Sequence, residues 1–207
     1  MQEKRKYAVF VFLLISLIPL LVLACSKNDN SGLIFAPEPG HEFIPQNYTA
    51  DGRLIIYEFS DFQCPACGAA FQTVQRIKLD YAGRIQFIYK HFPLVNIHEN
   101  AFRAAIAAEC ARDQDRFEEY HNVLFQNQQN LKEKSLQNYA RNFGMDMNAF
   151  NSCLASKETL PRIQNDVYDS FAAGIGATPS FIIAGEKYEG ALTYGQMKAA
   201  IDAKLGP

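Results

Sequence analysis

The stretch RLIIYEFSDFQCPACGAAF, residues 53–71, joins an apolar run to a helical one through a Cys-x-x-Cys, Cys64 to Cys67. Arg53 to Phe59 reads as a buried strand. From Pro65 to about Tyr81, Ala70, Val74, Ile77 and Tyr81 recur at helical spacing. Pro65 suits the first helical turn, where its missing N–H costs nothing. Arg84 to Tyr89, RIQFIY, reads as a second strand. With a right-handed crossover, strand, helix and strand give a parallel pair. The Cys-x-x-Cys then falls at the carboxyl end of the first strand, the edge where open α/β sheets carry their sites.

Outward from this unit the pattern changes. From about Ile97 to Gly174 it is helical throughout: Phe102, Ile106 and Cys110, then Phe117, Tyr120 and Leu124, then Leu136, Tyr139 and Phe143. These helices pack as a bundle. A further helix places Leu160, Ile163, Val167 and Phe171 on one face, with Pro161 in its first turn. Strand code returns in SFIIA, 180–184, followed by a short second strand and the capping box Thr193-x-x-Gln196 of a last helix. The expected layout is α/β: βαβ, a helical insertion over 97–174, then ββα, with 49–96 and 175–207 forming one unit.

The amino-terminal segment bears on compartment. Lys4, Arg5 and Lys6 precede an uncharged apolar stretch from Tyr7 to Ala24, the pattern of an export signal over residues 1–24. Leu21-Val22-Leu23-Ala24-Cys25 resembles a bacterial lipobox, which implies lipidation of Cys25. An uncleaved membrane anchor and a soluble secreted protein are the alternative readings. All three place the globular part outside the cytosol, and Ser26 favours the outer membrane. Residues 25–48 carry little apolar periodicity and read as a flexible tether, His41 included. The net charge of -2 leaves no nucleic-acid footprint.

The two cysteines of the motif are not equivalent. Cys64 stands at a helix start, where unpaired N–H groups and the helix dipole favour its thiolate. Cys67, one turn later, is more buried. Cys64 is therefore the attacking sulfur and Cys67 the resolving one, acting without a cofactor. A zinc site needs a second closely spaced ligand pair, and His91 and His98 do not supply one; an inert disulfide is the other bland reading. Cys110 and Cys153 both face the bundle and, in an oxidising compartment, are expected to pair as a structural disulfide closing a loop of roughly 44 residues. His121 reads as a packed or surface helix residue.

The segments YEFSDFQCPAC, KHFPL, AAECA, FEEYHNVLF and GATPSFIIAG, in this order, resemble the DsbA-like branch of the thioredoxin superfamily in its membrane-tethered form, over roughly residues 50 to 205. The resemblance implies a thioredoxin fold with an inserted helical domain and protein disulfide oxidoreductase activity. It implies that Pro179 is a cis-proline facing the dithiol and that Thr178 offers its backbone to a substrate chain. It also implies that Glu58 is a buried acid handling a proton, with Lys90 as its partner. Ala66 and Thr178 depart from the best-known member, which has histidine and an aliphatic residue there, and this leaves the direction of electron flow open. The implied partners are exported cysteine-containing proteins, a membrane redox protein and, through Cys25, a lipid bilayer. A reductase or isomerase of the same fold, or a tethered peptide- or metal-binding chaperone, are the alternatives.

Overall fold

The computed structural model describes residues 38–206; the leader, Cys25 and the first part of the expected tether lie outside them. The elements run β1 (Leu54–Ser60), α1 (Pro65–Asp80), β2 (Ile85–His91), α2 (Ala101–Arg112), α3 (Phe117–Gln126), α4 (Glu133–Asn142), α5 (Met147–Ala155), α6 (Leu160–Ala172), β3 (Ser180–Ile183), β4 (Glu186–Glu189) and α7 (Tyr194–Leu205). The sheet order is β2-β1-β3-β4. β1 pairs parallel with β2 and antiparallel with β3, and β3 pairs antiparallel with β4. This is the thioredoxin fold with five helices between its βαβ and ββα halves.

The alternation of side chains along β1 assigns each face of the sheet. Leu54 and Ile56 pack against Ala70, Val74 and Ile77 of α1 and against Met197 and Ile201 of α7. Ile55, Tyr57 and Phe59 face the other way, onto Val167 of α6. At the start of α7 Thr193 and Gln196 close the expected capping box. The bundle core, with Leu124, Leu136, Phe150 and Ile163, is continuous with Phe62, Cys64, Cys67 and Phe71. The helical insertion therefore packs directly onto the dithiol segment.

The expected tether of residues 25–48 does not extend as far as residue 48. From His41 the chain is docked on the α6 face of the sheet. His41 Nε2 lies 2.7 Å from Asp169 Oδ1, and Phe43 packs edge-on against Tyr57 and Phe59. The Gln46 N–H donates to the Tyr57 hydroxyl at 3.0 Å, and the Asn47 carbonyl accepts from Ile55 N–H at 2.9 Å. The apolar face left by Ile55, Tyr57 and Phe59 needs cover beyond α6, and one phenylalanine in a polar run provides it without any periodicity.

Cys110 and Cys153 form a disulfide between α2 and α5. Cys110 is buried, whereas Cys153 is half-buried at the edge of the bundle core. Beside it a second cross-tie forms: Arg162 of α6 makes a two-pronged contact to Asp113 and reaches Glu109. Burial pushes the Glu109 carboxyl up, but His91 and Arg112 outweigh it and hold its pKa at about 2. The disulfide closes a loop of sequence separation 43, so the double variant Cys110→Ala/Cys153→Ala is expected to lose about 2 to 4 kcal/mol of unfolding free energy, read from urea titrations in which both proteins carry the same redox state at Cys64 and Cys67.

Candidate active site

Cys64 is the N-cap of α1, with φ -71 and ψ 122, and Pro65 occupies the first helical position. The backbone leaves β1 at Ser60, turns through Asp61 to Gln63 and enters the helix, so the Cys64 sulfur stands where α1 leaves its first N–H groups unpaired. In its thiol form Cys64 Sγ donates to the Thr178 carbonyl at 3.5 Å. The Thr178-Pro179 peptide bond is cis, and the Thr178 hydroxyl is buried without a hydrogen-bond partner among the described residues. Cys67 lies one turn into α1 and is fully buried, against 7% exposure at Cys64. Both thiols are free.

This placement separates the two sulfurs electrostatically. Donation from the Cys67 thiol lowers the Cys64 pKa most; against burial, the Thr178 side chain and the backbone N–H groups of Cys67 and Ala66 add to the effect, and the value falls to about 5. Burial pushes the Cys67 thiol well above its ordinary range, and the neighbouring Cys64 raises it further. One sulfur is thus a thiolate at neutral pH and the other a thiol.

The turn that carries Cys64 is held by residues that sequence reading passed over. The Asp61 carboxylate accepts from Gln63 N–H at 2.7 Å and Leu94 N–H at 2.9 Å, and its Oδ2 lies 2.7 Å from His98 Nδ1. Gln63 Oε1 accepts from Asn100 N–H at 2.7 Å. From the insertion, Gln128 Nε2 donates to the carbonyls of Phe62 at 2.9 Å and Cys64 at 2.8 Å. Gly68 leaves room for that amide, since a Cβ there would collide with it. Asp61 was discoverable as a second acid beside an apolar run; Gln128, in the loop after α3, carries no pattern at all.

Glu58 is 3% exposed in β1, and burial raises its carboxyl to about 7 against the opposing Lys78 charge and Ser60 hydroxyl. Lys90, expected as its partner, is not. In the parallel register Glu58 stands opposite Tyr89 and Phe59 opposite Lys90, so strand alternation puts Lys90 on the other face. There it binds Asp166 and Asp169, each at 2.8 Å. The nearby cation is Lys78 of α1. His121 is buried in an aromatic cage that includes Phe62, Tyr89 and Phe125, and burial drives its pKa down to about 4. Among the described residues no group of three or more His, Cys, Asp or Glu could hold a metal ion.

Comparison with known proteins agrees with the fold. The thioredoxin family model matches residues 50–203. A thioredoxin-like oxidoreductase from Silicibacter pomeroyi is 25% identical, covering 72% of this chain and 85% of that one with a TM-score of 0.63. The thiol-disulfide exchange protein alpha-DsbA2 from Wolbachia pipientis, 20% identical over 76% of this chain and 85% of that one, has the same fold with a TM-score of 0.67. Among curated proteins, Na(+)/H(+) antiporter NhaA 3 of Salinispora tropica is 33% identical over 162 residues, 76% of this chain but 25% of that protein. The chain thus spans about a quarter of the length of such curated relatives, and among the described residues no helix is long and apolar enough to cross a membrane. With its family model running from the strand before the dithiol to the last helix, this chain belongs to the thioredoxin family and has a DsbA-like fold.

Proposed function

We propose that the protein is an extracytoplasmic thiol-disulfide oxidoreductase that introduces disulfides into exported proteins through Cys64 and Cys67. The observation that carries this reading is the split between the sulfurs: Cys64 is lowered to about 5 while Cys67 is raised. A stabilised thiolate favours the reduced form of the pair, so the disulfide form gives up its oxidising equivalents readily. In the forward reaction a client thiolate attacks Cys64 Sγ, the Cys64–Cys67 bond breaks and Cys67 leaves with the electron pair. A second client thiolate then attacks the client sulfur and releases Cys64 as thiolate.

The Thr178 carbonyl, already within reach of Cys64 Sγ, offers the client backbone an acceptor by strand addition, and Glu58 exchanges the proton that Cys67 gains or loses. The apolar leader and the sequence ending in Cys25 support attachment to a bacterial membrane on the periplasmic side, with the outer membrane favoured by Ser26. Reduced Cys64 and Cys67 then need reoxidation by a membrane redox protein. A reduction potential close to that of thioredoxin, about -270 mV, would overturn the oxidase direction in favour of a reductase.

Two outcomes test the chemistry. Cys64→Ser abolishes oxidation of a reduced client protein, whereas a peptide-binding chaperone would retain its function in that variant. The rate of Cys64 alkylation by iodoacetamide is expected to rise with pH around a midpoint near 5, with Cys67 unreactive at neutral pH. By linkage, a depressed folded-state pKa stabilises the reduced protein fully above the unfolded thiol value of about 8.5. That contribution fades as pH falls toward about 5, so denaturant midpoints of the reduced form should fall over this window more than those of Cys64→Ser.

A further inference from the structure

Glu58 lines a cleft of about 380 Å3 whose wall includes Lys78 of α1, Tyr89 of β2, Arg112 of α2, and Glu118 and His121 of α3. That volume has room for several water molecules. Lys78 Nζ and Glu118 Oε1 meet at 2.6 Å on its rim, where Glu118 is more than half exposed. The cleft therefore leads from a buried acid to the surface, but it does not include Cys67. Something must join the two.

Ser60 occupies that position. It follows Glu58 by two residues on β1, so both side chains stand on the face of the sheet covered by α1, which carries Cys67. Ser60 is 1% exposed, and its hydroxyl has no hydrogen-bond partner among the described residues. A buried hydroxyl left unpaired is uncommon and calls for a physical explanation. Ser60 contributes to lowering the pKa of both Glu58 and Cys67, against the larger effect of burial at each.

We propose that the Ser60 hydroxyl relays the proton between Cys67 and Glu58, and that the cleft past Lys78 and Glu118 connects Glu58 to solvent. This rests on the reading of Cys64 and Cys67 as an exchange site with Glu58 as its acid and base. When a client thiolate attacks Cys64 Sγ, a new S–S bond forms and the Cys64–Cys67 bond breaks, leaving the electron pair on Cys67. The Cys67 thiolate takes the Ser60 Oγ proton while Ser60 takes the proton of the Glu58 carboxyl. Glu58, now a carboxylate, regains a proton from water in the cleft. In resolution of a mixed disulfide the same path runs backward. The Cys67 proton passes to Ser60, the Ser60 proton to the Glu58 carboxylate, and the Cys67 thiolate attacks Cys64 Sγ and expels the client thiolate.

The groups facing Glu58 set the expected pH dependence. Lys78 favours its charged form, Glu118 opposes that, and burial dominates both, placing it at about 7. Resolution needs the carboxylate, so its rate is expected to rise through about pH 7. The test uses the full chain with Cys64 held as a mixed disulfide with glutathione, and follows glutathione release by Cys67 against pH. Ser60→Ala should slow release at least about tenfold, the low end for proton transfer by a positioned group, and should lose the step near pH 7. Ser60→Thr should restore both, and Lys78→Met should move the step to higher pH. Cys64 alkylation of the reduced variants, unchanged in rate and midpoint, reports that the fold and the thiolate are intact. If Ser60→Ala keeps the wild-type rate and pH step while Glu58→Gln loses them, the relay is overturned and the role of Glu58 stands. If Glu58→Gln also behaves as wild type, both are overturned.

Discussion

Everything at this site depends on one sulfur standing at the open end of a helix. Cys64 is held there from three directions: Pro65 commits the chain to α1, the Asp61 carboxylate fixes the turn before it, and the Thr178 carbonyl faces it from β3's side of the sheet. Unpaired helix N–H groups stabilise negative charge only where the charge is kept close to them. A looser turn would let the sulfur drift into water and return toward an ordinary thiol. The polar ties around the turn are therefore part of its electrostatics as much as of its shape.

Burial does the complementary work at the second sulfur. Cys67, Glu58 and Ser60 all lie on the α1 side of the sheet under the helical core, where charge is costly. The same low-dielectric surroundings that keep Cys67 protonated raise Glu58 into the neutral range. The two are unequal, the Cys67 thiol standing well above its ordinary range and Glu58 at about 7, so a proton passes readily from Glu58 to a Cys67 thiolate and returns only uphill. On the opposite face the ion group of Lys90, Asp166 and Asp169 binds α6 to β2, so charge on that side serves the scaffold.

The βαβ and ββα order of elements, the helical insertion and the dithiol were legible because each leaves a periodic or spaced signal: apolar runs over 54–59 and 180–183, heptad-like spacing in α1 and α6, and two cysteines one turn apart. The pairing of Lys90 with Glu58 failed because placing Lys90 at the end of the second strand does not fix which face of the sheet it occupies. Docking of His41 to Asn47 was hidden because it rests on one aromatic ring and a few backbone bonds. Gln128 and Lys78 act through three-dimensional approach between segments far apart in the chain, and no linear pattern encodes that.

Gln128 also bears on how separable the two halves of the molecule are. The insertion does more than cap a core: one of its loop amides grips the carbonyl of the attacking cysteine itself, in space that Gly68 leaves open. The helical bundle and the thioredoxin unit are thus not interchangeable modules. Transplanting the Cys-Pro-Ala-Cys turn into another scaffold, or exchanging one bundle for another, would carry over the sulfurs but leave behind the hand that holds them.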